Sequence, residues 1–259
     1  FKQTDGGKKV VITGDSRARI IYTTDGTDPT PEHGYRYKGA FSVKDKTTVK
    51  AISVVNWNGF KSGIVSKKIS YTTLATPKIT AANGKITLTG ITGGANYYYT
   101  TNGKTPTSSS YKYKGSFTAA ADTVYTFKGI ATGYYSSSSV WATYGSSGKL
   151  YTDVKPGLWY YKAADRAVRE KLLDVSGTKL APHTAVTRAQ LVTMLYRMYG
   201  SPSASGDMPF DDVPESAKYY EAVKWAYENG IALGCGYGKF KPDEYVTREQ
   251  TCTFLARYA

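Results

Sequence analysis

The sequence predicts a multidomain protein in which two strand-rich β domains precede a pair of helix–loop–helix units. Three observations support this fold class. A β-rich pattern repeats after about 75 residues in the first part of the 259-residue chain, and a helical pattern repeats after 59 residues in the rest. The charge also changes between the two parts. Residues 1–150 contain 20 Lys and Arg against 7 Asp and Glu, whereas residues 151–259 contain 14 against 13.

The β-rich pattern consists of a tyrosine-rich strand, a turn and a second aromatic strand. Residues 18–30 (ARIIYTTDGTDPT) recur as 95–107 (ANYYYTTNGKTPT), and residues 35–41 (YRYKGAF) recur as 111–117 (YKYKGSF). Runs of β-branched and aromatic residues between Gly, Asp, Asn and Pro indicate strands. The predicted strands are 9–13, 19–24, 48–54 and 64–71, then 85–89, 95–101, 124–131 and 140–144. Short strands at this spacing are typical of a β-sandwich.

The helical pattern begins after a Gly- and Ser-rich segment, which predicts a flexible linker at 146–150. In the second helical copy, apolar positions recur every three or four residues from Tyr219 to Tyr227, which indicates an amphipathic helix. Gly230 is placed to end this helix in a left-handed conformation. Thr187 with Gln190, and likewise Thr247 with Gln250, has the spacing of a capping box. Each copy is therefore predicted to be a helix–loop–helix hairpin.

The β-rich repeats resemble the small immunoglobulin-like module at the C-terminus of chitobiase-type glycosidases, which is reused in bacterial surface proteins. The Thr-Thr-Asp-Gly-x-x-Pro-Thr segment and the Tyr-x-Gly-x-Phe segment after it carry this resemblance. It implies two all-β immunoglobulin-like sandwiches, at 1–72 and 73–145, that act mostly as non-catalytic spacers.

The helical repeats resemble S-layer homology repeats, which implies an all-α pair of hairpins at 151–200 and 201–259. The residues that carry this resemblance are an aromatic-x-Asp-Val opening, Trp159-Tyr160, Glu228-Asn-Gly-Ile231, Phe240-x-Pro242 and the Thr-Arg pairs. Lys171 and Val175 stand where the second copy has Gly230 and Gly234, so the first turn is expected to differ. The family anchors exported proteins non-covalently to the envelope of bacteria, mostly Gram-positive ones. The implied partner is a secondary cell-wall polysaccharide, often pyruvylated, and the implied location is extracellular, at the cell wall or S-layer.

The resemblance implies that five residues bind the polymer: Arg188, Arg248, Asp153, Asp212 and Trp159. Each arginine follows a helix N-cap, where free N–H groups and the helix dipole favour an anion, and a guanidinium matches a carboxylate bidentately. Alternatively, the arginines pair with acidic neighbours and hold the hairpins together. The aspartates either brace a helix or loop or bind sugar hydroxyls. Trp159 either stacks on a sugar ring or is buried between repeats.

Four aromatic residues of the β repeats are candidate glycan contacts: Trp57, Phe60, Tyr134 and Tyr135. They lie in expected loop tips, although isolated surface aromatics are common in proteins without glycan ligands. Asp25 and Asp28 have the close spacing of a calcium loop. An Asx turn is the preferred interpretation, because the second copy keeps the turn without the charges.

No catalytic residue, metal site or cofactor is predicted, and the chain is not expected to be an enzyme. His33 and His183 have no partner motif, and neither a phosphate loop nor a membrane-length apolar run is present. A disulfide between Cys235 and Cys252 is left open. The excess charge of the β repeats favours anionic wall polymers over nucleic acid as a partner. The alternative functions are a carbohydrate-binding adhesin module and an accessory region of an extracellular glycoside hydrolase.

Overall fold

The computed structural model describes residues 1–55 and 60–259 and divides into two compact units. One unit comprises Phe1–Ala119 and Val124–Ala142, and the other comprises Ala120–Thr123 and Thr143–Ala259. The N-terminal part of the chain is built on β-sheets, and four helices follow in the C-terminal part. This order confirms the prediction of β-rich modules followed by a helical region.

Two sheets form within each β repeat. The strands of the first repeat are β1 (Lys2–Thr4), β2 (Lys9–Val11), β3 (Ala18–Thr23), β4 (Tyr35–Arg36), β5 (Phe41–Ser42), β6 (Thr48–Val55) and β7 (Val65–Lys68). They are ordered β1-β2-β5 in one sheet and β4-β3-β6-β7 in the other. The pairs β3–β4 and β3–β6 are antiparallel, with Tyr22 opposite Tyr35 and Ile21 opposite Ile52.

The second repeat follows the same plan. Its strands are β8 (Lys78–Ala82), β9 (Lys85–Thr89), β10 (Tyr97–Thr100), β11 (Tyr111–Lys112), β12 (Phe117–Thr118), β13 (Thr123–Gly129) and β14 (Val140–Tyr144). One sheet has the order β12-β9-β8, and the other contains β11-β10-β13-β14. The last residues of β14, Thr143 and Tyr144, pair with the short strand β15 (Leu150–Tyr151).

The repeated aromatic residues join the two sheets of each repeat. Tyr22 stacks on Phe41 with ring centroids 4.0 Å apart, and Tyr99 stacks on Phe117 at 4.8 Å. In both cases the two residues belong to different sheets. The aromatic pattern that recurs in the sequence therefore marks the packing surface between the sheets.

The helical region contains α1 (Tyr161–Arg169), α2 (Arg188–Met198), α3 (Tyr220–Glu228) and α4 (Arg248–Tyr258). Both predicted capping boxes are present. Thr187 accepts the N–H of Gln190 and Thr247 accepts that of Gln250, while each glutamine side chain accepts the backbone N–H of its threonine. The helices α2, α3 and α4 share one hydrophobic core with the loops between them.

The turn after the first helix of each hairpin has the same conformation in both copies. Gly230 has φ 69° as predicted, and Lys171, at the matching position, has φ 61°. The hydrogen bonds also match, because Leu172 and Ile231 each donate to the carbonyl five residues earlier. The expectation that the first turn differs is therefore wrong at Lys171, but it holds at Val175, which lacks the positive φ of Gly234 (85°). Lys171 adopts the left-handed conformation at a cost that glycine avoids.

Replacing Lys171 with glycine is expected to stabilise the helical unit by about 1 kcal/mol, because the substitution removes the left-handed penalty of a residue with a β-carbon. Urea unfolding followed by far-ultraviolet circular dichroism measures this change. Gly230→Lys is the converse variant and is expected to destabilise. Loss of stability in Lys171→Gly would contradict the argument.

A buried carboxylate organises the segment predicted as a linker. Asp165 of α1 accepts hydrogen bonds from the hydroxyls of Ser146 and Ser147 at 2.6 Å and from the Tyr151 hydroxyl at 2.7 Å. Burial opposes ionisation of this group, but the hydroxyl donors outweigh burial and hold the pKa of Asp165 below its usual value. Both serines of the Gly- and Ser-rich segment are therefore fixed to the first helix.

Asp165→Asn is expected to lower the free energy of unfolding near neutral pH by about 1–3 kcal/mol, because an amide cannot accept the same set of donors. A carboxyl whose folded pKa is depressed stabilises the fold above its unfolded pKa of about 3.9, and this contribution is lost as the pH falls through the folded pKa. The difference between wild type and variant should therefore shrink from about pH 7 to about pH 3 in urea titrations. A constant difference would refute this role.

Candidate functional site

The two aspartates of the aromatic-x-Asp-Val openings brace the loops of their own hairpins. Asp153 accepts the backbone N–H groups of Leu180 and Ala181 at 3.1 and 2.8 Å. Asp212 accepts those of Phe240 and Lys241, both at 2.8 Å. Each aspartate accepts the N–H groups of two consecutive residues at matching positions of its own hairpin. Both copies of the repeat therefore hold their loop in the same way.

These contacts also lower the pKa of Asp212. Burial opposes ionisation of its carboxyl, but the N–H donors of Phe240 and Lys241 overcome this effect and keep the pKa of Asp212 below its usual value. The structure therefore gives both aspartates the loop-bracing role that was one alternative from the sequence. Their contact with a polymer remains a prediction.

Arg188 lies inside the helical unit, where it joins the first hairpin to the second. Only 3% of its surface is exposed, and its Nε donates to the carbonyl oxygen of Phe240 at 2.8 Å. The guanidinium carbon also lies 5.0 Å from the ring centroid of Phe240 and 5.2 Å from that of Phe254. The described contacts of Arg188 are thus with a carbonyl and two aromatic rings.

The N-termini of the two matching helices differ in what covers them. At α2, the N–H of Arg188 donates to the Glu244 carbonyl and that of Ala189 to the Pro242 carbonyl. At α4, Arg248 is exposed, and neither its N–H nor that of Glu249 has a hydrogen-bond partner in the described part of the chain. The free donors expected beside an anion-binding arginine are present at Arg248, whereas those beside Arg188 are already paired.

Trp159 is the most exposed tryptophan among the described residues, with 93% of its surface accessible. It lies before α1, and its ring makes an edge contact with Tyr160, which in turn makes an edge contact with His183. The alternative of burial between repeats is therefore wrong for Trp159, and sugar stacking stays a prediction. In the second copy, the exposed Lys218 occupies the matching position.

Two of the candidate glycan contacts lie at the junction between the β repeats. The Tyr134 ring packs so closely on Gly6 that a β-carbon there would overlap it. The N–H of Tyr135 donates to the carbonyl of Thr72, and its hydroxyl donates to the carboxylate of Asp45. That bond lowers the pKa of Asp45 and raises the pKa of Tyr135.

The other two aromatic candidates belong to the first repeat. Phe60 is 72% exposed, and its carbonyl accepts the N–H of Val55 at 2.8 Å. Trp57 lies outside the described residues. The expectation of glycan contact remains a prediction for all four.

The remaining sequence predictions concern a turn and two thiols. The N–H of Thr27 donates to Asp25 at 3.0 Å and that of Lys104 donates to Asn102 at 3.1 Å, so the Asx turn is present in both repeats. No group of three or more metal-ligating side chains occurs within residues 1–55 and 60–259. Cys235 and Cys252 are exposed free thiols.

Sequence reasoning missed the central position of Phe240. Its N–H is bound by Asp212 and its carbonyl by Arg188, and the residue is fully buried. The sequence showed only that an apolar residue precedes each loop proline by two positions, as Leu180 does in the first copy. That pattern predicts burial, but it does not reveal which arginine contacts the backbone there.

In the described part of the chain, no helix has the length and apolar character needed to cross a bilayer.

Comparison with known families identifies modules along most of the chain. The S-layer homology domain matches residues 150–192 and 209–252, and the chitobiase/beta-hexosaminidase C-terminal domain matches 75–142. A family described as Fn3 associated matches 10–69. The resemblances inferred from the sequence are confirmed, with the first β repeat matched by a different family description from the second.

Similar proteins include hydrolases and a surface protein. The chain is 37% identical over 108 residues to an endoglucanase of Bacillus sp. (strain KSM-635) and 32% identical over 113 residues to a cell surface protein of Thermoanaerobacter kivui, each match covering 41% of the chain. It is 24% identical over 258 residues, 97% of its length, to an amylopullulanase of Thermoanaerobacterium thermosulfurigenes. The matches span only 11%, 15% and 12% of these relatives, respectively.

Among solved structures, domains 7, 8 and 9 of the S-layer protein SbsC match 55% of this chain and 57% of that chain, with 10% identity and a TM-score of 0.29. A similarity at this level supports no argument about the fold.

Arg188→Ala is expected to lower the free energy of unfolding of the helical unit by about 2–3 kcal/mol, because it leaves the buried carbonyl of Phe240 with only the weak Cys235 thiol donor and removes two ring contacts. Arg248→Ala, at the matching exposed position, is expected to change it by less than about 0.5 kcal/mol. Urea titration of both variants measures the difference. Equal effects of the two substitutions would contradict the assigned positions.

Proposed function

The chain carries two S-layer homology domains behind chitobiase-type and Fn3-associated β modules, and we propose that it is a non-catalytic segment that anchors a bacterial protein to its cell wall. The polymer bound is a secondary cell-wall polysaccharide bearing a carboxylate such as a ketal pyruvate. The protein carrying this segment is extracellular and associated with the wall or S-layer.

The observation that supports particular binding residues is the N-terminus of α4, which is exposed to solvent. Arg248 is exposed beside two backbone N–H groups without partners in the described part of the chain. A carboxylate placed there would receive N–H donors, a guanidinium and the positive end of the helix dipole. Trp159 supplies an exposed ring for a sugar face.

The β repeats act as a spacer in this proposal. We interpret the two sheets of each repeat as one immunoglobulin-like sandwich, with domains at 1–72 and 73–145 followed by hairpins at 151–200 and 201–259. Residues 1–150 carry nearly all of the net charge of +14. They therefore add a diffuse attraction to anionic wall polymers that salt screens.

A second function is favoured by the similarity to an endoglucanase and an amylopullulanase. In that case the segment is an accessory region that holds an extracellular glycoside hydrolase at the wall. The two functions share the anchor and differ in what is anchored, so the coding sequence around this segment distinguishes them. An adhesin role would instead require glycan binding by the aromatic residues of the β repeats.

Arg248→Ala and Trp159→Ala are each expected to weaken binding to isolated bacterial walls by about tenfold, since each removes a direct polymer contact. Cosedimentation of the whole chain with walls at several protein concentrations measures the affinity. Arg169→Ala, which removes an exposed arginine at the end of α1, is the matched control and should bind as wild type does. Unchanged binding by both test variants would refute the assigned polymer contacts.

A salt wash separates the two proposed contributions. At about 0.5 M salt the Debye length falls to a few ångströms, so the diffuse attraction of the lysines is lost. Binding at the helical repeats should persist. Complete release of the protein by the wash would contradict a specific anchor.

A further inference from the structure

A cavity of about 420 Å³ opens in the first β repeat, at one end of the sheet that contains β3 and β4. Its walls are residues 12–16, the first three residues of β3, Arg36 at the end of β4 and Tyr37 after it. The volume lies within the range of small-ligand sites in proteins. Nothing in the sequence analysis or the proposed anchor uses this cavity.

Two arginines line the cavity from the same face of the sheet. Arg36 on β4 is directly opposite Ile21 on β3, and Arg19 lies two residues before Ile21. Residues opposite each other, and residues two apart on one strand, point to the same side of a sheet. Arg19 and Arg36 are therefore diagonal neighbours on one face of the sheet, and both line the cavity.

Neither arginine is neutralised in the described part of the chain. The Nε of Arg19 is buried and has no hydrogen-bond partner among the described residues. Arg36 is exposed and makes no ion pair or hydrogen bond there. A partly desolvated cation without a counter-charge is an unfavourable state, and a bound anion would relieve it.

The other groups that line the cavity refine its chemistry. The Asp15 carboxylate also lines it, but two bonds from the side chain of Arg17, at 3.2 and 3.0 Å, neutralise it. Tyr37 lines the cavity too, but its ring makes edge contacts with Tyr22 and Phe41 in the packing between the two sheets. The two guanidinium groups therefore define the ligand by its oxyanion.

The second β repeat provides an internal comparison. By the alignment of the repeats, Asn96 stands at the position of Arg19 and Lys112 at that of Arg36. The second repeat thus keeps the strands but lacks both guanidinium groups. The arginine pair is not required for the β fold, since the same strand arrangement forms without it.

We propose that Arg19 and Arg36 form a binding site for the oxyanion of an anionic polymer, separate from the helical repeats. The shared ligand chemistry is an oxyanion on a sugar or polyol chain. It is supplied either by the carboxylate of an acidic sugar or by the phosphodiester of a polyol phosphate. Each guanidinium offers parallel N–H donors to two oxygens of such a group. The site adds a specific contact to a region that otherwise attracts anions only diffusely.

The test is isothermal titration calorimetry of the whole chain with three probes: oligogalacturonate, poly(glycerol phosphate) and neutral dextran. Wild type should bind one or both anionic probes and not dextran. Arg19→Asn, which copies the second repeat, and Arg36→Gln should each weaken binding about tenfold or more.

Two controls separate this site from general charge and from the wall anchor. The double variant Lys78→Gln with Lys85→Gln removes two exposed charges from strands of the second repeat and should change affinity less than about twofold. Arg169→Ala, which removes an exposed arginine of the helical repeats, should bind both probes as wild type does. Thermal unfolding checks each fold, and Arg36→Gln, at an exposed position, keeps the test valid if Arg19→Asn is unstable.

The outcomes are decisive in both directions. Loss of oligogalacturonate binding alone assigns the site to carboxylates, and loss of poly(glycerol phosphate) binding alone assigns it to phosphodiesters. The proposal is overturned if wild type binds neither anionic probe, if both arginine variants bind as wild type does, or if the lysine control weakens binding as much as they do.

Discussion

The helical unit depends on one peptide segment that is held from two sides. Asp212 accepts the N–H of Phe240, and Arg188 donates to the carbonyl of the same residue. The aspartate belongs to the second hairpin and the arginine to the first, so this fully buried phenylalanine links them. The shared core of α2, α3 and α4 surrounds the link. A buried cation is tolerated here because it has an acceptor and two aromatic faces.

The same sequence motif has two different environments in one chain. Arg188 and Arg248 both follow a capping threonine and both begin a helix. Carbonyls of the loop at 242–246 accept the first N–H groups of α2. The matching N–H groups of α4 have no hydrogen-bond partner among the residues that the structure describes. A repeated motif therefore defines a local geometry, and the neighbouring hairpin determines whether its arginine stabilises the fold or faces solvent. This difference is why Arg248 carries the proposed binding role.

Local features of the fold were predictable from the sequence, and long-range contacts were not. The capping boxes and the left-handed Gly230 follow from residues within one turn of each other, and the repeats themselves are visible by self-comparison. The burial of Arg188 depends on a partner 52 residues away. Lys171 kept a conformation its side chain disfavours, because the hydrogen bonds of the turn outweigh the local penalty. Tyr134 and Tyr135 contact the preceding repeat, which no local pattern reveals.

The junction between the β repeats limits how freely the two repeats move relative to each other. The N–H of Leu74 donates to the carbonyl of Tyr135, and Tyr135 donates back to Thr72, so the connecting residues are paired rather than solvated. A flexible connector of equal length would let the repeats sample a volume that grows with chain length. The hydrogen-bonded connector instead fixes the position of one repeat relative to the other. A polymer bound at Arg19 and Arg36 would therefore keep a fixed position relative to the second repeat.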